Sequence, residues 1–103
     1  MNIKFEGTVI KRSGQKVPFD RMRLVNAITK ANGDISEDLR MTKTQIDRIV
    51  DQITISCMDL DHLVTVEELQ DMVEDKIMQH GAFEVARAYI KYRYNRELSR
   101  KAN

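Results

Sequence analysis

Two segments of this chain specify their own helices. Thr42-Lys43-Thr44-Gln45 and Thr65-Val66-Glu67-Glu68 each read as a capping box. In such a box a threonine hydroxyl accepts from the backbone N–H three residues on, and the Gln or Glu there reaches back to the threonine N–H. Apolar pairs, Met41 with Ile46 and Val64 with Leu69, stand where a hydrophobic staple would close each start. Behind the first box, Ile46, Ile49, Val50, Ile53 and Cys57 recur on one helical face; behind the second, Leu69, Met72, Val73 and Ile77 do the same. Asp59-Leu60-Asp61-His62 breaks the first run, and His80-Gly81 closes the second, with Gly81 suited to a left-handed cap. Two one-faced helices at the centre of a 103-residue chain must bury their stripes in one small domain with a modest core.

The flanks supply the partners. Asp20 caps a helix from Arg21 to about Ala31, with Leu24, Val25, Ile28 and Ala31 as its stripe and Asn32-Gly33 as its end. Residues 33–41 form an acidic connection with room for a helical turn at Glu37–Leu39. A last helix runs from about Phe83 to near Arg100 and buries Val85, Ala86, Tyr89 and Ile90. Residues 8–12 and 15–19 read as a β-hairpin around Ser13-Gly14, Leu63-Val64 as a short third strand, and Ile3-Lys4-Phe5 as weakly extended. Two strands alone are marginal, so they must lie on the helices. The expected class is α+β, mainly α: a four-helix bundle capped by a small three-stranded sheet.

Several chemistries are excluded. The single Cys57 rules out a disulfide framework and a cysteine-rich zinc site, and its place in a helical stripe reads as a buried thiol. There is no Ser/His/Asp or Cys/His set, no Walker loop and no GxGxxG. Glu67 and Glu68 are accounted for by the helix start, where carboxylates are favoured, so no metal site and no catalysis are expected. Met1–Glu6 form no secretory leader and no apolar run spans a bilayer, so the chain reads as cytoplasmic, without a membrane partner.

Charge is segregated. Residues 1–32 carry seven Lys/Arg against two carboxylates, residues 33–80 four against twelve, and residues 81–103 six against two. Two basic ends flanking an acidic middle fit either an anionic ligand held between the ends or two ends packing on the middle. Lys11-Arg12 at the hairpin and Arg23 in the first turn of the first helix could seat a phosphate. As neighbours on a strand, Lys11 and Arg12 would leave opposite faces unless a bulge near Ser13-Gly14 let them converge. Spacing alone leaves ordinary surface cations as the simpler reading. In the last helix Arg93, Arg96 and Arg100 share a face, with Tyr89, Tyr92 and Tyr94 interleaved. That pattern suits nucleic acid or a solvated helix with half-buried tyrosines, and the acidic middle argues against nucleic acid.

Three motifs in register carry a resemblance. Val9-Ile10-Lys11-Arg12-Ser13-Gly14, with Val17-Pro18-Phe19-Asp20 and Arg23-Leu24 after it, resembles the opening of the ATP-cone domain. Val64 to Glu74 resembles its third-helix motif and Val85 to Arg93 its closing motif. The resemblance implies residues 8–98 as the cone, 1–7 as an extension, and 99–103 as a tail leading to an absent catalytic domain. It further implies a regulatory domain that binds ATP or dATP, with or without Mg2+, and controls a ribonucleotide reductase through its catalytic domain or other subunits. The implied nucleotide contacts are Val9, Lys11, Arg12, Asp20, Arg23, Gln70, Lys91 and Arg93. Some cones carry an acid where Val17 stands, which would leave adenine selectivity to backbone groups or Asp20. Residues 89–98 resemble the cone exit of anaerobic ribonucleoside-triphosphate reductase. Against this stand the cone of a transcriptional repressor or a nucleic-acid-binding module, and a free-standing helical interaction domain. The repressor places a cysteine zinc ribbon before its cone, and one Cys argues against it.

Overall fold

The computed structural model describes residues 7–102, and Ile3-Lys4-Phe5 lies outside them. Three strands and four helices follow in the order β1 (Thr8–Ile10), β2 (Lys16–Pro18), α1 (Arg21–Gly33), α2 (Lys43–Met58), β3 (Val64–Thr65), α3 (Val66–Gln79) and α4 (Phe83–Ala102). A 3-10 turn, Glu37–Leu39, lies between α1 and α2. β1 is the central strand, antiparallel to β2 with Val9 opposite Val17, and parallel to β3 with Val9 opposite Val64. The expected bundle with a three-stranded cap is what forms.

The two capping boxes hold their helices in the expected way. Thr42 Oγ1 accepts from Gln45 N–H at 3.1 Å while Gln45 Oε1 accepts from Thr42 N–H at 2.8 Å. Thr65 and Glu68 repeat the exchange at 3.1 and 3.0 Å. The whole α2 stripe, Ile46 through Cys57, is buried, as are Leu69, Val73 and Ile77 of α3, with Met72 packed against them. Burial pushes the Cys57 thiol up to about 11, so it remains protonated and inert. Gly81 takes φ +76° after α3, the left-handed geometry expected of it.

Four details differ from the sequence reading. The hairpin strands are shorter than 8–12 and 15–19, because Arg12-Ser13-Gly14 form a tight turn. Gly14 N–H donates to the Lys11 carbonyl and Lys11 N–H to the Gln15 carbonyl, both at 2.8 Å, and Gly14 takes φ +90°. Lys11 and Arg12 therefore leave the ladder. α1 runs on to Gly33 because Asn32 does not cap it: Asn32 exchanges two side-chain hydrogen bonds with the Met41 backbone, at 2.9 and 2.7 Å. Arg40 then meets the freed Gly33 carbonyl at 3.1 Å. β3 is shifted by one residue, to Val64–Thr65, because Val64 is what pairs with Val9. Ile90 is 40% exposed rather than buried; Val85, Ala86 and Tyr89 already fill the core side of α4.

The β3–α3 junction carries a charged bridge. His62 Nδ1 lies 3.0 Å from Asp61 Oδ1, and Nε2 lies 2.7 Å from Glu68 Oε2, the same carboxylate that completes the cap. The hydrogen bonds to Asp61 and then Glu68 hold His62 above the usual 6.5, while the bond from His62, opposed in part by burial, holds Glu68 below the usual carboxylate range. The raised His62 contributes stability below pH 6.5 that is lost as pH rises through its folded value. The lowered Glu68 contributes stability above the usual carboxylate range that is lost as pH falls through its folded value. The junction is therefore tightest at mildly acidic pH. An NMR titration of the His62 imidazole should show a midpoint above 6.5, and Glu68→Gln should move it down; an unshifted midpoint in the wild type would contradict the bridge.

Candidate functional site

α1 and α4 pack side by side, and a cleft of about 1970 Å³ lies between them, the hairpin and the start of α3. α1 contributes Arg23, Asn26, Ala27 and Lys30, recurring every three or four residues on one face. α4 contributes Arg87, Lys91, Tyr92, Asn95 and Arg96 by the same spacing. Val9, Lys11 and Val17–Asp20 line it from the hairpin, and Val66, Leu69 and Gln70 from α3. α2 lends nothing to it.

The cleft is cationic. Lys11, Arg23, Lys30, Arg87, Lys91 and Arg96 face three carboxylates, Asp20, Asp34 and Glu84. Arg23 approaches Asp20 only to 3.8 Å, and Arg87 approaches Glu84 only to 3.8 Å, with the arginines 86% and 78% exposed. Such loose, solvated pairs bind weakly. Among the described residues, no carboxylate pairs with Lys11, Lys30 or Lys91. Lys30 Nζ and Arg96 Cζ each lie 5.9 Å from the centre of the Tyr92 ring, which gives the cations an aromatic seat in the cleft. Asp20 caps α1 by accepting from Met22 N–H at 3.0 Å. The arrangement suits an anionic ligand with an apolar or aromatic part, since Val9, Val17, Leu24 and Leu69 share the walls with the cations.

Six of the eight residues singled out from sequence thus line one cleft: Val9, Lys11, Asp20, Arg23, Gln70 and Lys91. Arg12 and Arg93 do not. Arg12 leaves the hairpin turn to pair with Glu67 of α3 at 3.0 Å and Glu97 of α4 at 2.7 Å. Arg93 bridges α4 to α3 through Asp71 at 2.8 Å and Glu74 at 2.7 Å. Burial by itself would lower the Arg93 pKa, and the hydrogen bonds to Asp71 and Glu74 outweigh it and raise it. Arg21 joins α1 to α2 in the same way, with Nη1 3.0 Å from Asp51 Oδ1, an ion pair without hydrogen-bond geometry. The reading in which the ends pack on the acidic middle therefore holds for Arg12, Arg21 and Arg93, while six other cations of the two ends, Lys11, Arg23, Lys30, Arg87, Lys91 and Arg96, meet at the cleft.

Sequence reasoning misses Lys30, Arg87 and Tyr92 as members of the site. Lys30 stands seven residues after Arg23 and Arg87 four before Lys91, so helical spacing from a known member of the site is the signal that finds the two cations. Among the described residues, no three His, Cys, Asp or Glu gather to hold a metal ion, and no helix is long and apolar enough to cross a membrane.

Comparison with known proteins agrees with this geometry. The family model for the ATP cone domain matches residues 7–98. Among curated proteins, the chain is 37% identical to a ribonucleoside-diphosphate reductase subunit alpha of Chlamydia trachomatis over 91% of this chain and 10% of that protein. It is 36% identical to an anaerobic ribonucleoside-triphosphate reductase of Haemophilus influenzae, over 90% of this chain and 13% of the relative. It is 32% identical to a vitamin B12-dependent ribonucleoside-diphosphate reductase of Mycobacterium tuberculosis, over 99% and 14% respectively. The chain thus spans about a tenth of the length of the curated relatives it matches. The anaerobic reductases that its closing segment resembles are among them, beside two other kinds. With the family model covering nearly all of the described residues and the bundle, its three-stranded cap and the cationic cleft in place, the chain belongs to the ATP-cone domain family.

Proposed function

We propose that this chain is an allosteric adenine-nucleotide-binding domain that senses ATP or dATP and controls the activity of a ribonucleotide reductase. The observation that carries the proposal is the cleft itself, where cations from both ends of the chain meet and where Lys11, Lys30 and Lys91 have no carboxylate partner among the described residues. Phosphates would lie among Lys11, Arg23 and Lys91, and the base against the apolar wall of Val9 and Val17. With Val17 unable to accept from an adenine amino group, Asp20 and strand backbone groups carry base selection. Mg2+ would enter on the phosphates, since the described residues gather no metal cluster of their own. The domain regulates rather than catalyses, and the reductase it serves is proposed from the names its relatives carry. A nucleic-acid reading of α4 is less well supported, because Arg93 is tied to Asp71 and Glu74 and not displayed on a free face.

Calorimetry tests the proposal. ATP or dATP should bind with micromolar affinity, and Lys11→Ala or Arg23→Ala should each weaken binding by about tenfold, the worth of one lost charge-assisted contact. No binding of either nucleotide at millimolar concentration would sink it.

A further inference from the structure

Arg12, one of the two expected contacts that do not line the cleft, follows directly on a residue that does and is held away by two carboxylates. Lys11, its neighbour, lines the cleft; Arg12 instead points its Nε and Nη2 at Glu67 and Glu97. We infer that Glu67 and Glu97 are affinity-setting residues: they compete with the outer phosphates of the ligand for Arg12 and so lower the affinity for polyphosphate ligands alone. The inference rests on the nucleotide reading above.

The geometry supports an exchange of partners. Arg12 sits in a three-residue turn closed by Gly14 at φ +90°, so the guanidinium can be redirected without breaking the strand ladder, whose register ends at Ile10 and Lys16. Its side chain is 52% exposed and those of Glu67 and Glu97 are 38% and 35% exposed, so water can replace either partner as it leaves. The two carboxylates hold the Nε and Nη2 edge of the guanidinium, so a phosphate that takes this edge bidentately must displace them. The ligand-competent state is therefore only a fraction of the population, and apparent affinity falls by that fraction. A ligand too short to reach Arg12 does not feel the competition. Arg12 moving to a phosphate would also part it from Glu67 and Glu97, so occupancy of the cleft would be registered near the end of α4 and at the first turn of α3, where Glu67 lies.

The test is a mutant cycle read by calorimetry with ATP and AMP. The Glu67→Gln/Glu97→Gln variant should bind ATP about three- to tenfold more tightly, the range expected for removing two exposed competitors, and bind AMP unchanged. Arg12→Ala should weaken ATP and leave AMP unchanged. In the Arg12→Ala background the two Gln changes should no longer tighten ATP. That last result separates competition for Arg12 from a general gain in positive potential. Unaltered ATP affinity in the Gln variant, or tightening that persists without Arg12, overturns the inference while the nucleotide reading stands. If the wild type binds no ATP, the nucleotide reading fails, and the Arg12 Nε–Hε NMR signal is followed with inorganic tripolyphosphate instead. Movement of that signal, enlarged in the Gln variant, upholds the competition, and a static signal overturns it.

Discussion

Cutting Ile53 to alanine should lower the unfolding free energy by about 2–4 kcal/mol. Ile53 lies on α2, fully buried within a cluster that takes residues from all four helices, from β1 and from β3. The cost combines the lost transfer of the removed carbons with a cavity that neighbours on other helices can only partly fill. Domains of this size hold about 5–15 kcal/mol in total, so the loss is a large part of what is available. At about 4–8 °C per kcal/mol the midpoint of thermal unfolding should fall by at least about 8 °C. Urea titration and a thermal scan both read it. A loss under about 1 kcal/mol would mean that the core is not packed around α2 as described. Because α2 lends nothing to the cleft, nucleotide affinity of the folded fraction should hardly change.

The second large effect is on the site. Lys91→Glu should weaken ATP binding by about a hundredfold or more. A unit pair at 4 Å and an effective dielectric of 20 is worth about 4 kcal/mol, and reversal both removes attraction and adds repulsion. Even a third of that value in each direction comes to roughly the 2.7 kcal/mol that separates hundredfold affinities. Lys91 makes no ion pair with a described residue, so its reversal should leave the unliganded fold close to its original stability. The thermal shift makes the comparison direct. At a hundredfold excess over Kd the wild type gains about 2.7 kcal/mol, and the variant at the same concentration gains at most about 0.4 kcal/mol. Lys76→Glu, on α3 and outside the cleft, serves as the control and should keep the shift. Equal shifts in wild type and Lys91→Glu would remove Lys91 from the site.

Features set by neighbours along the chain are legible in the residues alone. Both capping boxes, the five-residue stripe of α2 and the Gly81 cap depend on residues three or four apart, and each forms as its spacing requires. Features set by distant partners are not legible in that way. Asn32 resembles a helix terminator because its alternative partner, the Met41 backbone, is reached only after the chain has turned. Arg12 meets Glu67 across 55 residues, and Arg93 meets Asp71 and Glu74 across 22 and 19. No local pattern says that these arginines have carboxylates waiting. Ile90 illustrates a third limit: α4 is apolar on more than one side, so periodicity does not tell the core face from the cleft face, where Ile90 lies. The site is legible to the degree that its members stand in a family motif or at helical spacing from one that does; that Lys30 on α1 and Arg87 on α4 share a cleft depends on the packing of the two helices.

The division of labour among the cations has a consequence for how a ligand arrives. The arginines at 12, 21 and 93 are neutralised by acids on α2, α3 and α4, while the lysines at 11, 30 and 91 keep their charge on one side of the molecule. A chain of formal net charge +1 is therefore strongly polarised, with a positive mouth and acidic flanks. Its field draws an incoming anion toward the cleft from about a Debye length away, roughly 8–10 Å in physiological salt, and turns aside one approaching elsewhere. Added salt shortens that reach and slows capture, while the mostly buried pair of Arg93 with Glu74 is screened less.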